Sequence, residues 1–286
     1  MPVMLARLRR RLHPNPIATL WPILVWFPLL KTGRLLRRAR LRRVALARTR
    51  CRLPLVLAVA LLLAVGIAVV LHARGKVERV GVFTTLPILW AEADSVSGLL
   101  NNDTPPHWAK AVLAARGEIV PLDSLLDVRR LHQIVMAQPR PLSPAENVAL
   151  DGWVRGGGHL LLFADPMLTA QSSFSLGDKR RPQDVVLLSP ILTRWGLSLQ
   201  FDEDQPAGEH AADVLGAAMP VNLPGALIVD GKQRNCRVIG AGLAVTCRIG
   251  SGKVLVVADA AVLETGDEAG QSVRSAALVR LLGALN

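Results

Sequence analysis

Apolar positions along this chain fall into three patterns. The longest unbroken run is LPLVLAVALLLAVGIAVVL, Leu53 to Leu71, which has 19 residues and no charge. About 20 apolar residues cross a bilayer as a helix, because each rises about 1.5 Å through roughly 30 Å of hydrocarbon. The run therefore predicts a transmembrane helix over 53–71. A cleaved signal peptide is the rival reading. Its apolar region is normally about 7–15 residues long, and Leu71-His72-Ala73 is a poor small-x-small site. A second run, IATLWPILVWFPLL (Ile17 to Leu30), has 14 residues interrupted by Pro22 and Pro28. That is short for a span. It suits an interfacial segment with Trp21 and Trp26 at head-group level.

From residue 79 onward, short apolar runs alternate with helical patterns. RVGVFT (79–84) predicts a buried strand. HWAKAVLAAR (107–116) predicts a helix that stops at Gly117. EIVPL and LHQIVMA predict two further strands. Ser143 then caps PAENVALDGWVR, with Pro144 at the first helical position and Glu146 completing a capping box. Gly156-Gly157-Gly158 ends that helix, and HLLLFA follows as a strand too apolar to have a wet face. Strand–helix–strand units with short links predict a parallel sheet covered on both faces. A long polar loop is expected over 167–188, then a short helix at SPILTRWG capped by Ser189. LSLQFDE reads as a strand, and 204–224 as mostly loop. ALIVD, NCRVIG, LAVTCRIG and KVLVVAD read as strands separated by turns, and QSVRSAALVRLLGAL as a terminal amphipathic helix. The expected fold is α/β: a mainly parallel sheet with helices on both faces, a small antiparallel addition and a preceding transmembrane helix.

Charge divides the chain at the apolar run. The net charge is +12, but residues 1–52 hold 14 Arg and Lys with no Asp or Glu. The remainder has 20 basic and 22 acidic residues. The basic character thus belongs to the leader, and its closeness to an apolar span favours lipid over nucleic acid as the anionic partner. Ten of those basic residues lie between Lys31 and Arg52. The positive-inside rule then places the N-terminus in the cytoplasm and the rest outside the bacterial inner membrane, in the periplasm. The expected organisation is a basic leader over 1–52 with an interfacial segment at 17–30, a span over 53–71, a stalk over 72–78 and an exported domain over 79–286.

Cys236 and Cys247 bear on the exported side. A two-residue turn at Ala241-Gly242 pairs Val238 with Val245 and sets Cys236 opposite Cys247. Opposed strand residues lie about 4.5–5.5 Å apart at Cα, within disulfide range. That register makes them a hydrogen-bonded pair, whose side chains are less close. A bridge and two free thiols both stay open.

Candidate chemistry is sparse. Gly250-Ser251-Gly252-Lys253 leads into a strand rather than a helix, so it reads as a hairpin turn and not a phosphate loop. There is no HExxH, no GxSxG elbow and no cofactor fingerprint, so neither a metal nor a cofactor is expected. Asp165 and Asp259 each end an apolar strand. Parallel strands would bring both carboxylates to one edge of the sheet, where open α/β sheets bind ligands. Capping of the following turn is the alternative role. Glu92, and the basic tip Lys179-Arg180-Arg181 of the 167–188 loop, complete the candidate ligand or partner contacts.

The stretch PRPLSPAENVALDGWVRGGGHLLLFADP, with the later GSGKVLVVADAAVL, resembles the exported domain of auxiliary proteins of gliding-motility-type ABC transporters and related membrane-anchored domains of unknown function. The resemblance implies a flavodoxin-like arrangement related to class I glutamine amidotransferases. It also implies partnership with other membrane subunits, an ABC permease or ATPase. An amidotransferase would place its nucleophilic Cys after a strand like HLLLFA, whereas this chain has Asp165-Pro166. The sequence therefore predicts a non-enzymatic accessory or binding domain. The alternative is a hydrolase-like or metal-dependent enzyme using Asp165 and Asp259, with His159 or Glu92 in support.

Overall fold

A computed structural model of the protein describes residues 58–66, 78–92, 105–231 and 235–285. The leader over 1–52 and most of the stalk lie outside them, as do 53–57 and 67–71 of the predicted span. Residues 58–66 are helical, with Leu61, Leu62, Leu63 and Val65 all exposed. No helix among the described residues is long and apolar enough to cross a membrane. The chain divides into two compact units, Met1–Val69 and Val70–Asn286.

The second unit is built on a seven-stranded sheet in the order β2-β1-β3-β4-β11-β10-β9. Its parallel part comprises β1 (Arg79–Thr84), β2 (Glu118–Pro121), β3 (Gln133–Ala137), β4 (His159–Phe163) and β11 (Gly252–Val257). The order reverses direction between β1 and β3. β10 (Ala244–Ile249) and β9 (Cys236–Ile239) extend the sheet in antiparallel fashion. Alternating side chains serve two cores. Val82, Val135, Leu161 and Leu255 face one core, with Leu113 of α1 (Trp108–Ala114) and Leu278 of α4 (Glu268–Gly283). Ile134, Leu160, Leu162 and Val254 face the other, with Trp153 of α2 (Pro144–Arg155) and Ile191 of α3 (Ser189–Arg194). A strand buried on both faces cannot alternate apolar with polar residues, which is why HLLLF and KVLVV are nearly continuous apolar runs.

The α2 unit forms as its sequence requires. Ser143 Oγ accepts from the Glu146 backbone N–H, and Glu146 accepts from the Ser143 N–H at 3.0 Å. Gly157 takes φ 110° after the helix. Gly252 opens β11 where an added Cβ would lie 2.0 Å from the Val154 carbonyl, so helix and strand meet at a spot that fits only glycine. Asp151 joins the two helices on its face: its buried carboxylate accepts from Arg155, Arg194 and the Trp195 indole.

Three expectations need correction. Ser189 lies inside α3, whose N-cap is Leu188 with no side-chain cap bond. Residues 204–224 are not mostly loop, because β6 (His210–Val214) and β7 (Ala217–Val221) form a hairpin. Its turn residues, Leu215 and Gly216, have φ 60° and 76°, the paired positive values of a type I′ turn. The strand ALIV is β8 (Ala226–Val229), and it pairs with β5 (Leu197–Gln200) in a separate two-stranded sheet.

Cys236 and Cys247 are joined by a disulfide, with their Cα atoms 4.1 Å apart. The register is the expected one, but the connection is not a two-residue turn. It is a 3-10 turn over Gly240–Gly242, with Ala241 at φ 54°. The expected hydrogen-bonded pairing is corrected as well. The Arg248 N–H donates to the Asn235 carbonyl one step further out, so the cysteines occupy a non-hydrogen-bonded pair, where side chains approach more closely. A bridge closing so short a loop stabilises by about 3 kcal/mol in the chain-entropy treatment. Reduction of the protein is therefore expected to lower its unfolding free energy by about 2–3 kcal/mol, measured by urea denaturation with and without dithiothreitol. Three thiols titratable in the unreduced, denatured chain, rather than that of Cys51 alone, would show that the bridge does not form.

Candidate functional site

The carboxyl ends of β1, β3, β4 and β11 lie side by side, and each is followed by a buried or half-buried polar residue. These are Thr85, Gln138, Asp165 and Asp259. Asp165 and Asp259 stand two residues beyond the paired Phe163 and Val257, so the two carboxylates sit at the same level on neighbouring strands. The sequence expectation that they share one edge holds.

What they do there is to hold backbone. Asp165 Oδ1 accepts from the Met167 N–H at 2.8 Å, closing the turn after β4. Its Oδ2 accepts from Ala260 N–H at 2.9 Å, which ties β4 to the chain leaving β11. Asp259 Oδ1 accepts from Ala261 N–H at 2.7 Å, and Oδ2 from Asn222 N–H at 2.9 Å. The second bond fastens the β6–β7 hairpin to the sheet. Both residues have 0% exposure. All four oxygens are occupied by backbone donors.

Gln138 carries the row across to β3. It is fully buried and has φ 43°, a left-handed conformation that is uncommon for a residue other than glycine. The twist turns its amide onto the neighbouring strand. Oε1 accepts from the Asp165 N–H at 3.0 Å, and Nε2 donates to the Asp165 carbonyl at 3.0 Å and to the Gln183 carbonyl at 2.7 Å. Thr85 finishes the row: its hydroxyl donates to the Gln138 carbonyl and accepts from the Gln183 N–H at 3.1 Å. The sequence reading missed both residues, taking Gln138 as part of a turn. A polar residue directly after an apolar strand was the available signal, as it was for Asp165.

Burial pushes the Asp165 carboxyl up to about 6, against the pull of the Met167 and Ala260 N–H groups. Burial, and then repulsion from Asp165, push Asp259 to about 8. The half-buried Glu264 carboxylate, bonded by Thr169 at 2.7 Å, is also raised by burial. No group of three or more His, Cys, Asp or Glu among the described residues is arranged to hold a metal ion.

The other candidate residues fall into two places. His159 begins β4, at the opposite edge of the sheet from Asp165, beside Gln133 and Lys253. It cannot join the carboxylates. Glu92 clamps the long loop, accepting from Ser172 Oγ at 2.9 Å, Ser173 N–H at 2.8 Å and Ser173 Oγ at 3.1 Å. Arg181 is fixed by Asp184 and by the Phe174 carbonyl. Lys179 and Arg180 line a cavity of about 320 Å³ at the end of β1, with Thr84, Thr85, Trp90 and Phe174. Trp90 and Phe174 were not anticipated, since single aromatic residues in loops carry no sequence signal of convergence.

No protein-family model matches the chain, and no curated protein matches it significantly. Among solved structures it is similar to an exo-β-1,4-mannosidase from Opitutaceae bacterium strain TAV5, with a TM-score of 0.45 and 13% identity over 75% of this chain. It spans 36% of that enzyme, about a third of its length. It is also similar to the mmIFT52 N-terminal domain, with a TM-score of 0.44 and 12% identity over 71% of this chain and 96% of that one. For the cytoplasmic protein STM3548 from Salmonella typhimurium the TM-score is 0.40, with 12% identity over 73% and 98%. At these values none of the three assigns an activity to this chain.

The raised carboxyls set a pH dependence. A folded pKa above the unfolded value means that stability is fully present below about pH 4 and is lost as pH rises through the folded pKa. Both groups act between about pH 4 and 6, and Asp259 alone between about 6 and 8. The melting temperature of the full chain in mild detergent is expected to fall from pH 5 to pH 8. Asp259→Asn should flatten the upper part of that slope, while lowering stability at pH 5 by about 1–3 kcal/mol through one unpaired N–H. A wild-type melting temperature that is level from pH 5 to 8 would contradict the raised values. Gln138→Ala strips partners from the Asp165 N–H and from the Asp165 and Gln183 carbonyls. It is expected to cost about 2–4 kcal/mol in urea unfolding.

Proposed function

We propose that this protein is a non-enzymatic, membrane-anchored accessory protein whose domain over 79–286 lies in the periplasm and binds a ligand or partner. The observation that carries this reading is the state of the carboxyl edge. A reactive group in an open α/β sheet belongs there, and the polar side chains present are buried and engaged with backbone. The order β2-β1-β3-β4-β11, with its reversal between β1 and β3, supports the flavodoxin-like, class I glutamine amidotransferase-like assignment. At the position where such an enzyme would carry its nucleophile, this chain has Asp165-Pro166. Proline also removes an N–H that an oxyanion hole would use.

The anchor rests on the uncharged run over 53–71 and on the helical piece 58–66 within it, whose leucines are exposed. Apolar side chains at that density are suited to lipid. The resemblance to ABC transporter auxiliary domains gives the partner class: a permease or ATPase encoded as another chain.

The raised Asp165 and Asp259 carboxyls favour one second reading, an acid–base or metal-dependent hydrolase. Against it stand their complete burial and their four occupied oxygens.

A tagged full chain, solubilised from its own membranes, is expected to bring down ABC permease or ATPase subunits in fixed ratio. Alkaline phosphatase fused after residue 285 should be active, and a green fluorescent protein fused there dark. Purification as a chain free of transport subunits would overturn the accessory role, and an inactive phosphatase fusion would overturn the location.

A further inference from the structure

The edge of the sheet is filled by side chains, yet space remains at one end of it. The cavity of about 320 Å³ lined by Thr84, Thr85, Trp90, Phe174, Lys179 and Arg180 opens at the end of β1. β1 flanks the point at which the strand order reverses, and doubly wound sheets take small ligands beside that point. The size is at the lower end of small-molecule sites, enough for one ring and a substituent or two.

Its walls have two chemistries. Trp90 and Phe174 form an aromatic corner, with ring centroids 6.2 Å apart and planes inclined at 31°. Trp90 is 40% exposed, so an indole face is open to a ligand, whereas Phe174 is buried. The Arg180 guanidinium lies 4.2 Å from the Phe174 centroid and donates twice to Asp178, at 3.1 and 2.7 Å. Arg180 is thereby fixed in place and its charge is matched. Lys179 is exposed and makes no ion pair among the described residues. The wall is therefore a flat aromatic surface beside one unmatched ammonium. The loop that supplies Phe174, Lys179 and Arg180 is held to the rest of the domain by the bonds to Glu92 and by those of Gln183 to Thr85 and Gln138, and it is braced internally by Arg181, so the lining is set before any ligand arrives.

The geometry points to a binding site for a small organic anion, a flat ring bearing a single carboxylate or phosphate, with the ring on Trp90 and the anion on Lys179. This rests on the binding-domain reading above and names its ligand class. Stacking on an indole and a charge-assisted bond to an ammonium recognise different parts of one molecule, so their losses separate by mutation.

The test uses the full chain in nanodiscs of zwitterionic lipid, titrated calorimetrically with benzoate, phenyl phosphate and benzamide, against empty nanodiscs. At least one of the two anions is expected to bind saturably and about tenfold tighter than benzamide. The preferred anion identifies carboxylate or phosphate as the native group. Lys179→Gln should weaken the anion about tenfold, to the benzamide level, and higher salt should do the same. Trp90→Ala should weaken all binding about tenfold. Arg129→Gln, outside the cavity, should change nothing. Melting curves establish that each variant is folded. Absence of saturable binding by any of the three, benzamide binding as tight as the anions, or anion binding undiminished by Lys179→Gln would each overturn the inference. Such a failure, with transport subunits still recovered from membranes, leaves the accessory role standing. Loss of the subunits with ligand binding intact does the reverse.

Discussion

The second unit depends on a single polar seam. Parallel strands leave their last carbonyls and the first N–H groups of the following turns at one edge, and those groups must find partners once buried. Here Thr85, Gln138, Asp165 and Asp259 supply them, strand by strand, from β1 to β11. Each side chain reaches the backbone of a neighbour rather than its own turn alone. The seam therefore sets how the strand ends, the β6–β7 hairpin and the 167–188 loop meet. It also accounts for the strained Gln138: φ 43° is the conformation from which one amide serves both the N–H and the carbonyl of Asp165.

Filling that edge changes what the fold can host. In an open sheet with this strand order, the crevice by the reversal is where a ligand would lie. Thr85, Gln138 and Gln183 occupy it. The space that remains is displaced to the end of β1 and walled by the long loop, which brings Phe174 and two cations against Trp90. The loop stays in place because Glu92 and Thr85 hold it and Arg181 braces it from within; in sequence, Glu92 and Arg181 looked like free contact groups.

The main elements were legible because their signals are local and mutually consistent. The Ser143–Glu146 capping box, the glycine stop and the continuous HLLLF run all point to one helix–strand unit, and the parallel register follows from burial on both faces. What was missed has a common physical cause. The β6–β7 hairpin is built from alanines, whose weak strand preference is overridden by packing against α4 and by the Asp259–Asn222 bond. The partner of β8 is set by tertiary contact alone. The common edge of Asp165 and Asp259 was readable from strand ends, but Gln138, Thr85, Trp90 and Phe174 converge from segments up to about 90 residues apart, and spacing cannot show that.

A strongly raised carboxyl is often taken as a mark of chemistry, since acids and bases need shifted values. Burial alone produces the same shift. The distinction lies in access and in spare hydrogen-bonding capacity. A general acid must lend its proton to a substrate atom at about 2.6–3.2 Å, with an oxygen free to do so. Asp165 and Asp259 have no exposed surface, and each of their oxygens already accepts a backbone N–H. Their elevation is the energetic consequence of closing the sheet with carboxylates in a dry place, and it is offset by the two apolar cores on either side. The same groups that would suggest an enzyme by their proton affinity thus serve, by their hydrogen bonds, to hold the backbone at the sheet's edge.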